Sequence, residues 1–187
     1  GNVARLIEDF KAQTFRDFEI NVIKNVSPQG KAINLGAARS RGEILLIADD
    51  DSRLGNPRVI ENLVRMLDGN SAIGMAGASI TVPEEANWLQ RKAAREFPRF
   101  GMKIVDKDTE SDMACHGCCA IPKRVFEEVG RERENILRGL DPDLRVRMRK
   151  KGYKTVIAAN TWVYHPLPGT FPKLISTFFR NGVGSAY

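Results

Sequence analysis

The order of apolar and polar residues along the chain predicts helices and strands in alternation. Residues 3–13 carry apolar side chains at helical spacing, and the small residues of GKAINLGAARSRG, at 30–42, predict a second helix packed closely on a sheet. Residues 18–23, 44–47 and 73–82 are apolar runs that predict strands. Asn56 and Pro57 are favoured at a helix start, so a third helix is predicted between the last two strands.

The second half of the chain continues this pattern. MACHGCCAI, at 113–121, predicts a strand, and PKRVFEEVG, at 122–130, predicts the helix that follows it. A further helix is predicted from Asp141 and Pro142 to Gly152, before two strands at 154–159 and 161–165. Strands that alternate with helices predict a single α/β domain with a three-layer, mainly parallel mixed sheet.

Three consecutive acids, Asp49, Asp50 and Asp51, follow the most apolar predicted strand. Open α/β sheets bind ligands at the carboxyl ends of their strands. Adjacent carboxylates repel one another unless a cation lies among them, and carboxylate oxygens suit Mg²⁺ or Mn²⁺. The pattern therefore predicts a metal site, and an ion bound there could bridge a diphosphate and stabilise it as a leaving group. A solvated acidic turn that caps a helix is the alternative.

Segments in both halves of the chain, in the expected order, resemble the family 2 glycosyltransferases. GKAINLGAARSRGEILLIADDD, at 30–51, is similar to the family's small-residue helix that leads through Arg-Gly-Glu into a strand ending in Asp-x-Asp. CHGCCAIPKRVFEEVG, at 115–130, resembles its strand–basic–helix–Gly segment. LDPDLRVRMRKKGYKTVIAANTWVYH, at 140–165, resembles its acidic-Leu-x-x-Arg, Gly-Tyr and terminal-His segment. The resemblance implies a nucleotide-sugar transferase fold of the GT-A type.

The resemblance also implies roles for individual residues. Asp51 is expected to ligate the metal, with Asp49 near the donor ribose or bound through water and His165 as a further metal ligand. Asp141 matches the acid that takes a proton from the acceptor hydroxyl in inverting members. The implied donor-binding residues are Lys31, Asn34, Asp49, Asp50 and Arg147.

Each role has a plainer alternative that the sequence leaves open. Asp141 precedes a proline at a helix start, which suits an N-cap. His165 ends an aromatic strand and could simply be hydrogen-bonded there, and Lys31 could be a surface turn residue. Arg147 belongs to a basic run that could be a solvated face near a helix C-terminus.

These features predict a metal-dependent glycosyltransferase that transfers a sugar to a hydroxyl or lipid-phosphate acceptor with inversion. Residues 1–82 are expected to form the nucleotide- and metal-binding half, and residues 83–187 the acceptor half with an amphipathic tail. The expected donor is a UDP- or GDP-sugar, the acceptor a saccharide or a lipid-linked molecule, and the cofactor Mn²⁺ or Mg²⁺. The alternatives are an inactive nucleotide-sugar-binding or scaffold domain, and a sugar nucleotidyltransferase. The second of these is expected to carry a Gly-rich, basic phosphate loop after its first strand.

Composition narrows the partners and the location. The net charge of +6 suits an anionic partner, but the basic residues lack a neighbouring aromatic platform, so no nucleic acid is expected. Three clustered cysteines make a poor disulfide framework and indicate a reducing compartment, the cytoplasm. Strand geometry alternates faces, so Cys115, His116, Cys118 and Cys119 are expected to be buried strand residues rather than a zinc site.

Residues 171–180 place several apolar side chains on one helical face. This tail predicts either contact with the inner face of a membrane or packing on the domain itself. The chain departs from the family pattern near its start, since the family's first strand and the acidic loop that binds the nucleotide base are not found. We therefore expect segments of a longer chain to be missing, with a junction near Ile20 and Asn21, and the base cannot be named from the sequence.

Overall fold

A computed structural model of the chain describes residues 2–97, 101 and 103–184, which form seven helices and six strands. The helices are α1 (Asn2–Lys11), α2 (Gln29–Arg39), α3 (Val59–Leu67), α4 (Trp88–Glu96), α5 (Lys123–Glu128), α6 (Leu140–Lys150) and α7 (Phe171–Gly184). The strands are β1 (Ile44–Ala48), β2 (Arg53–Leu54), β3 (Ile73–Thr81), β4 (Thr109–Glu110), β5 (Cys118–Pro122) and β6 (Lys154–Tyr164).

The strands form one mixed sheet in the order β1-β5-β3-β6-β2, and β4 also pairs with β6. β3 and β6 are parallel, whereas the other four pairings between described strands are antiparallel. The predicted mixed α/β sheet is confirmed, but the prediction that it is mainly parallel is wrong. The alternation of strands and helices shows only that a helix lies between two strands in the sequence. It does not fix the direction in which each strand runs. The long connection after β3 brings β5 back in the opposite direction, between β1 and β3.

Helices cover both faces of the sheet and give the predicted three layers. Alternation along β5 sends Cys119 and Ile121 to one face, where they pack with residues of α2, α5 and α6. Cys118 and Ala120 face the other side and pack with residues of α3. The two cysteines therefore belong to two different cores, which confirms the expectation that they are buried strand residues.

Several elements have shifted ends relative to the sequence prediction. β5 begins at Cys118 rather than at residue 113, so Cys115 and His116 lie in the preceding loop. β6 is one strand where two were predicted, and the break between them corresponds to Asn160, whose φ is 50°. Among residues other than glycine, Asn and Asp adopt the left-handed backbone conformation most readily, which explains how the strand continues through Asn160.

The predicted cap of α3 is displaced. The helix begins at Val59, and the side chain of Asn56 instead accepts a hydrogen bond from the Arg58 N–H at 2.8 Å in the preceding turn. Asparagine commonly binds the backbone two residues ahead in this way, so the same preference that suggests an N-cap also produces a turn.

The strand predicted at 18–23 is wrong, because these residues form no strand in the structure. Among the described residues β1 pairs only with β5, and an open cleft of about 1220 Å³ lies between β1 and residues 18–25. Ile20 and Val22 remain 40% and 41% exposed. An apolar run becomes a strand only where its backbone finds a hydrogen-bonding partner, and the cleft separates this run from β1. The expectation of a missing strand and base loop stays a prediction.

Candidate active site

The three acids form the turn between β1 and β2, and two of them contact a histidine. His165 Nε2 lies 3.2 Å from Asp51 Oδ1 and 3.7 Å from Asp49 Oδ2. One ligand atom from each of these residues lies within 4.8 Å of the others. Asp50, between the two acids, is exposed. We call Asp49, Asp51 and His165 the Asp–His cluster.

The sheet explains why these distant residues meet. β1, β3 and β6 run in the same direction, so their carboxyl ends lie at one edge of the sheet. His165 follows β6 directly, and its backbone N–H donates to the Thr81 carbonyl at the end of β3 at 2.9 Å. The acids follow β1 in the same way. The cluster therefore occupies the edge where α/β sheets bind ligands.

Contacts within the cluster change the charge of its members. Burial alone would lower the pKa of His165, but the carboxylates of Asp49 and Asp51 outweigh it and raise this pKa to about 10. The hydrogen bond with His165 in turn lowers the pKa of Asp51 against the effect of burial. Asp51 is therefore ionised and faces an imidazolium at neutral pH.

The donor set fits a divalent cation. Carboxylate oxygens suit Mg²⁺ and Mn²⁺, and imidazole is a common ligand of transition metals. Three protein ligands leave the remaining coordination positions to water or substrate oxygens. The atoms of the Asp–His cluster already lie within reach of one ion, and their side chains are partly accessible. The sequence left open whether His165 is a metal ligand or is only hydrogen-bonded at the end of its strand. The structure shows the contacts with the two acids, and they involve Nε2, the nitrogen that would face a metal ion bound between those acids.

A short loop before β5, residues 115–117, links this cluster to Asp141. The fully buried Ser52 hydroxyl, next to Asp51, donates to the Gly117 carbonyl at 2.9 Å. On the other side of the loop, Asp141 Oδ1 accepts a hydrogen bond from the His116 backbone N–H at 2.6 Å. The Asp–His cluster and the predicted general base therefore flank the same loop.

Asp141 lies in the first turn of α6 but does not cap it. The helix begins at Leu140, and the residue at the N-cap is Gly139, whose φ is 87°. The Asp141 side chain is 24% exposed and turns toward the 115–117 loop. The N-cap interpretation of Asp141 is therefore wrong, because a glycine in the left-handed region makes the turn into the helix.

Sequence reasoning missed a buried acid beside this loop. The His116 side chain is 2% exposed, with Nδ1 3.2 Å from Asp141 Oδ1 and Nε2 3.0 Å from Glu132 Oε1. The Glu132 side chain is completely buried. Burial alone would lower the pKa of His116, but Glu132 and Asp141 outweigh it and raise the pKa above its ordinary value. Glu132 stands in a run of four charged residues, 131–134, of the kind usually found in solvent, so no sequence signal singled it out.

Asn34, predicted to face the donor, is engaged with the backbone around Glu132. Its Oδ1 accepts from the Glu132 N–H at 3.0 Å, and its Nδ2 donates to the Glu132 carbonyl at 2.9 Å. Lys31 is exposed in the first turn of α2. The neighbouring Gln29, which sequence reasoning missed, donates to Asp49 Oδ1 at 3.3 Å. The start of α2 therefore lies beside the acids, whereas Asn34 supports Glu132.

The structure does not bring Arg147 to the cluster. Its guanidinium pairs with Asp143 at 2.7 Å and donates to the Val129 carbonyl at 2.5 Å. On a helix with 3.6 residues per turn, Arg147 also lies about 120° around the axis from Asp141. Arg147 therefore fastens α6 to the end of α5, and its predicted donor role has no supporting contact.

A profile of the family described as glycosyltransferase like family 2 matches residues 1–184. The chain belongs to this family. No curated protein shows significant sequence similarity to it. Family membership confirms the resemblance drawn from the sequence and assigns the chain to a family of transferases.

Three solved structures are similar to this family 2 domain. They are the mannosyltransferase PcManGT from Pyrobaculum calidifontis in complex with GDP-Man and Mn²⁺, GalNAc-T7 with UDP, GalNAc and Mn²⁺, and S. aureus TarS 1-349. The TM-scores are 0.65, 0.58 and 0.60, at 11%, 13% and 11% identity. The alignments cover 96%, 81% and 88% of this chain, which spans 60%, 34% and 56% of those proteins. The GT-A type fold is thereby confirmed.

Proposed function

We propose that the chain is the catalytic domain of a metal-dependent glycosyltransferase. It would move a sugar from a nucleoside-diphosphate-sugar to a hydroxyl or lipid-phosphate acceptor, with inversion. The observation that carries the proposal is the Asp–His cluster at the carboxyl ends of β1 and β6. Family membership supports it, as do two similar structures described with Mn²⁺ and either GDP-Man or UDP.

The proposed reaction exchanges one bond at the anomeric carbon for another. Bound Mn²⁺ or Mg²⁺ supplies positive charge for the departing diphosphate. Asp49, Asp51 and His165 would hold that ion, and Asp141 would take the proton of the attacking hydroxyl. The acceptor oxygen bonds to the anomeric carbon, and the diphosphate leaves with the electron pair of the broken bond. Because this is one direct displacement, the anomeric centre inverts.

The donor is proposed to lie over the acid turn and the start of α2. Asp49 and Asp50 belong to the turn, and the exposed Lys31 offers an ammonium that can move toward a phosphate. Asn34 and Arg147 would act only indirectly, because protein groups already occupy their side chains. The direct donor set is therefore smaller than the five residues that the resemblance implies.

Calorimetric titration of UDP and GDP, each with and without Mn²⁺, tests the metal and donor site. We expect nucleotide binding that requires Mn²⁺ and that weakens at least about tenfold in Asp51→Ala. Asp68→Ala removes an exposed acid at the end of α3 and is the matched control, with binding unchanged. Nucleotide binding that is equally tight without Mn²⁺ and in Asp51→Ala would contradict the proposed metal site.

Transfer itself needs a separate assay, in which released nucleoside diphosphate is measured over a panel of donor sugars and acceptors. Asp141→Asn should bind nucleotide normally and lose roughly 10²- to 10⁴-fold in transfer rate, the usual contribution of a positioned general base. The anomeric configuration of the product, measured by NMR, checks inversion. Metal-linked binding without turnover on any donor would favour the scaffold alternative. Family membership argues against a nucleotidyltransferase.

An exposed aromatic face gives the acceptor side a candidate partner. It consists of apolar side chains of α4 and α7, namely Trp88, Phe171, Ile175, Phe178 and Phe179. Leu174 of α7 is buried and packs against α4, so the tail does rest on its own domain. Trp88 and Phe179 nevertheless remain 65% and 71% exposed, and α7 also carries the exposed basic residues Lys173 and Arg180. Among the described residues, no helix has the length and apolar character needed to span a membrane.

We propose that this face lies on an anionic membrane surface and places the domain near lipid-linked acceptors, in the cytoplasm. A helix that exposes both apolar and basic side chains suits such an interface, and the free cysteines suit a reducing compartment. Co-sedimentation with phosphatidylglycerol vesicles tests the contact. Phe179→Glu should abolish it, whereas Val146→Glu, at an exposed apolar position of α6, should not. Equal binding by both variants would contradict the proposed surface.

A further inference from the structure

His116 occupies an unusual position for a buried imidazole. Its Nδ1 faces Asp141 and its Nε2 faces Glu132, at 3.2 and 3.0 Å, so one ring joins two carboxylates. Burying the two ionisable groups of His116 and Glu132 beside a third is costly, and well-packed apolar residues hold a loop at lower cost. The arrangement is therefore better explained by a requirement at Asp141 than by packing alone.

The contacts fix one oxygen of the Asp141 carboxylate. Both the His116 backbone N–H, at 2.6 Å, and the His116 ring, at 3.2 Å, approach Oδ1. Two groups that approach the same oxygen restrain the plane of the carboxylate, which leaves Oδ2 as the oxygen that can meet a substrate. A general base works best when its accepting oxygen is held at hydrogen-bonding distance from the proton that it takes.

The far end of the bridge is also fixed. Asn34 binds both the N–H and the carbonyl of Glu132, at 3.0 and 2.9 Å, which anchors that residue to α2. The Glu132 carboxylate reaches the His116 ring from this anchored backbone. A continuous series of contacts thus runs from Asn34 through Glu132 and His116 to Asp141.

We propose that His116, anchored by Glu132 and Asn34, is the positioning residue that fixes Asp141 Oδ1 so that Oδ2 meets the acceptor hydroxyl. The inference rests on the proposed function, because it assumes that Asp141 is the general base. Besides Glu132 and Asp141, the groups whose charges act on His116 include Asp49. The nearby thiols of Cys115 and Cys119 stay protonated because burial raises their pKa values. Against the effect of burial, the acids on both sides of the ring raise the pKa of His116.

Two substitutions of His116 separate positioning from simple structure. His116→Asn keeps a donor near the Nδ1 position, toward Asp141, and loses the one toward Glu132. His116→Gln keeps a donor near the Nε2 position, toward Glu132, and loses the one toward Asp141. We expect His116→Gln to lower kcat roughly 10- to 100-fold, part of what a positioned base contributes, with the donor KM unchanged. His116→Asn should retain most of kcat.

A second readout does not depend on activity or on either variant. The chain has only 2 histidines, so imidazole nitrogen NMR spectra contain two rings, and His165→Asn assigns them. We expect the His116 ring to carry protons on both nitrogens at pH 7 in the unaltered chain. In Glu132→Gln the ring should lose its second proton at a lower pH than in the unaltered chain.

The outcomes distinguish this inference from the proposed function. Transfer by the unaltered chain combined with full kcat in His116→Gln would overturn the inference alone. A neutral His116 ring at pH 7, or a ring that Glu132→Gln leaves unchanged, would also overturn it. Failure of the unaltered chain to transfer any sugar, or full activity in Asp141→Asn, would overturn the proposed function and the inference with it.

Discussion

Ser52 offers the sharpest test of how the two sides of the site are joined. Its hydroxyl is fully buried and donates to the Gly117 carbonyl at 2.9 Å, whereas its backbone N–H closes the acid turn onto the Asp49 carbonyl at 3.1 Å. Ser52→Ala removes only the hydroxyl and leaves the backbone contact in place. A buried acceptor that loses its donor costs about 1–3 kcal/mol. We therefore expect the free energy of unfolding to fall by that amount.

The loss should be visible in two assays. Urea denaturation measures the free energy of unfolding, and thermal denaturation of a chain of this size should show Tm lowered by roughly 2 to 12 °C. Mn²⁺-dependent nucleotide binding should weaken as well, because the turn that carries Asp51 is no longer tied to the 115–117 loop. Ser71→Ala makes the same chemical change at an exposed position and should stay within about 0.5 kcal/mol of the unaltered chain. If Ser52→Ala matches that control, the buried hydroxyl does not join the two sides.

Three further predictions concern the core and the thiols. Phe126 is completely buried, so Phe126→Ala should lower the free energy of unfolding by about 3–5 kcal/mol in urea, and a loss below 2 would contradict its burial. A Cβ at Gly77 would lie 2.8 Å from Ala114 Cβ, so Gly77→Ala should cost about 1–3 kcal/mol in the same assay, and a neutral result would contradict this close approach. Burial raises the pKa of the Cys115 and Cys118 thiols to about 12, so a thiol reagent at pH 8 should label them only after unfolding. Because the folded state holds these protons more tightly, stability should fall as pH rises above about 9, and a flat profile to pH 11 would refute the shift.

The sequence predicted the elements whose pattern is local. Helical spacing at 3–13 and the strand at 73–82 depend on neighbouring residues alone, and both are confirmed as α1 and β3. The strand at 18–23 and the parallel sheet depend on which backbone lies alongside. An apolar run indicates that a segment can be buried, but it does not indicate which strand it pairs with or in which direction. Both of these predictions are wrong for that reason.

The same distinction separates the parts of the site. Asp49, Asp51 and His165 stand directly at strand ends, where topology alone brings them together, and the structure does so. Asn34 and Arg147 lie inside helices, where the facing residue decides what the side chain binds. Nothing local in the sequence indicates that these two would be engaged by Glu132 and Asp143. Their donor roles could be inferred only by resemblance, and the contacts do not support them.

The state of His165 bears on whether the acid turn is a metal site or only a turn. Nε2 is the atom that contacts both Asp49 and Asp51, and it is also the atom that would ligate a metal. One lone pair binds either a proton or a metal ion, so a metal must replace the proton rather than join it. The acids therefore keep a positive charge between them in both states, and the exchange raises that charge from one to two. A turn that served only to cap a helix would need no such counter-charge from the end of β6. Under the proposed function, the histidine would hold the acids in a binding arrangement until the ion and the diphosphate arrive.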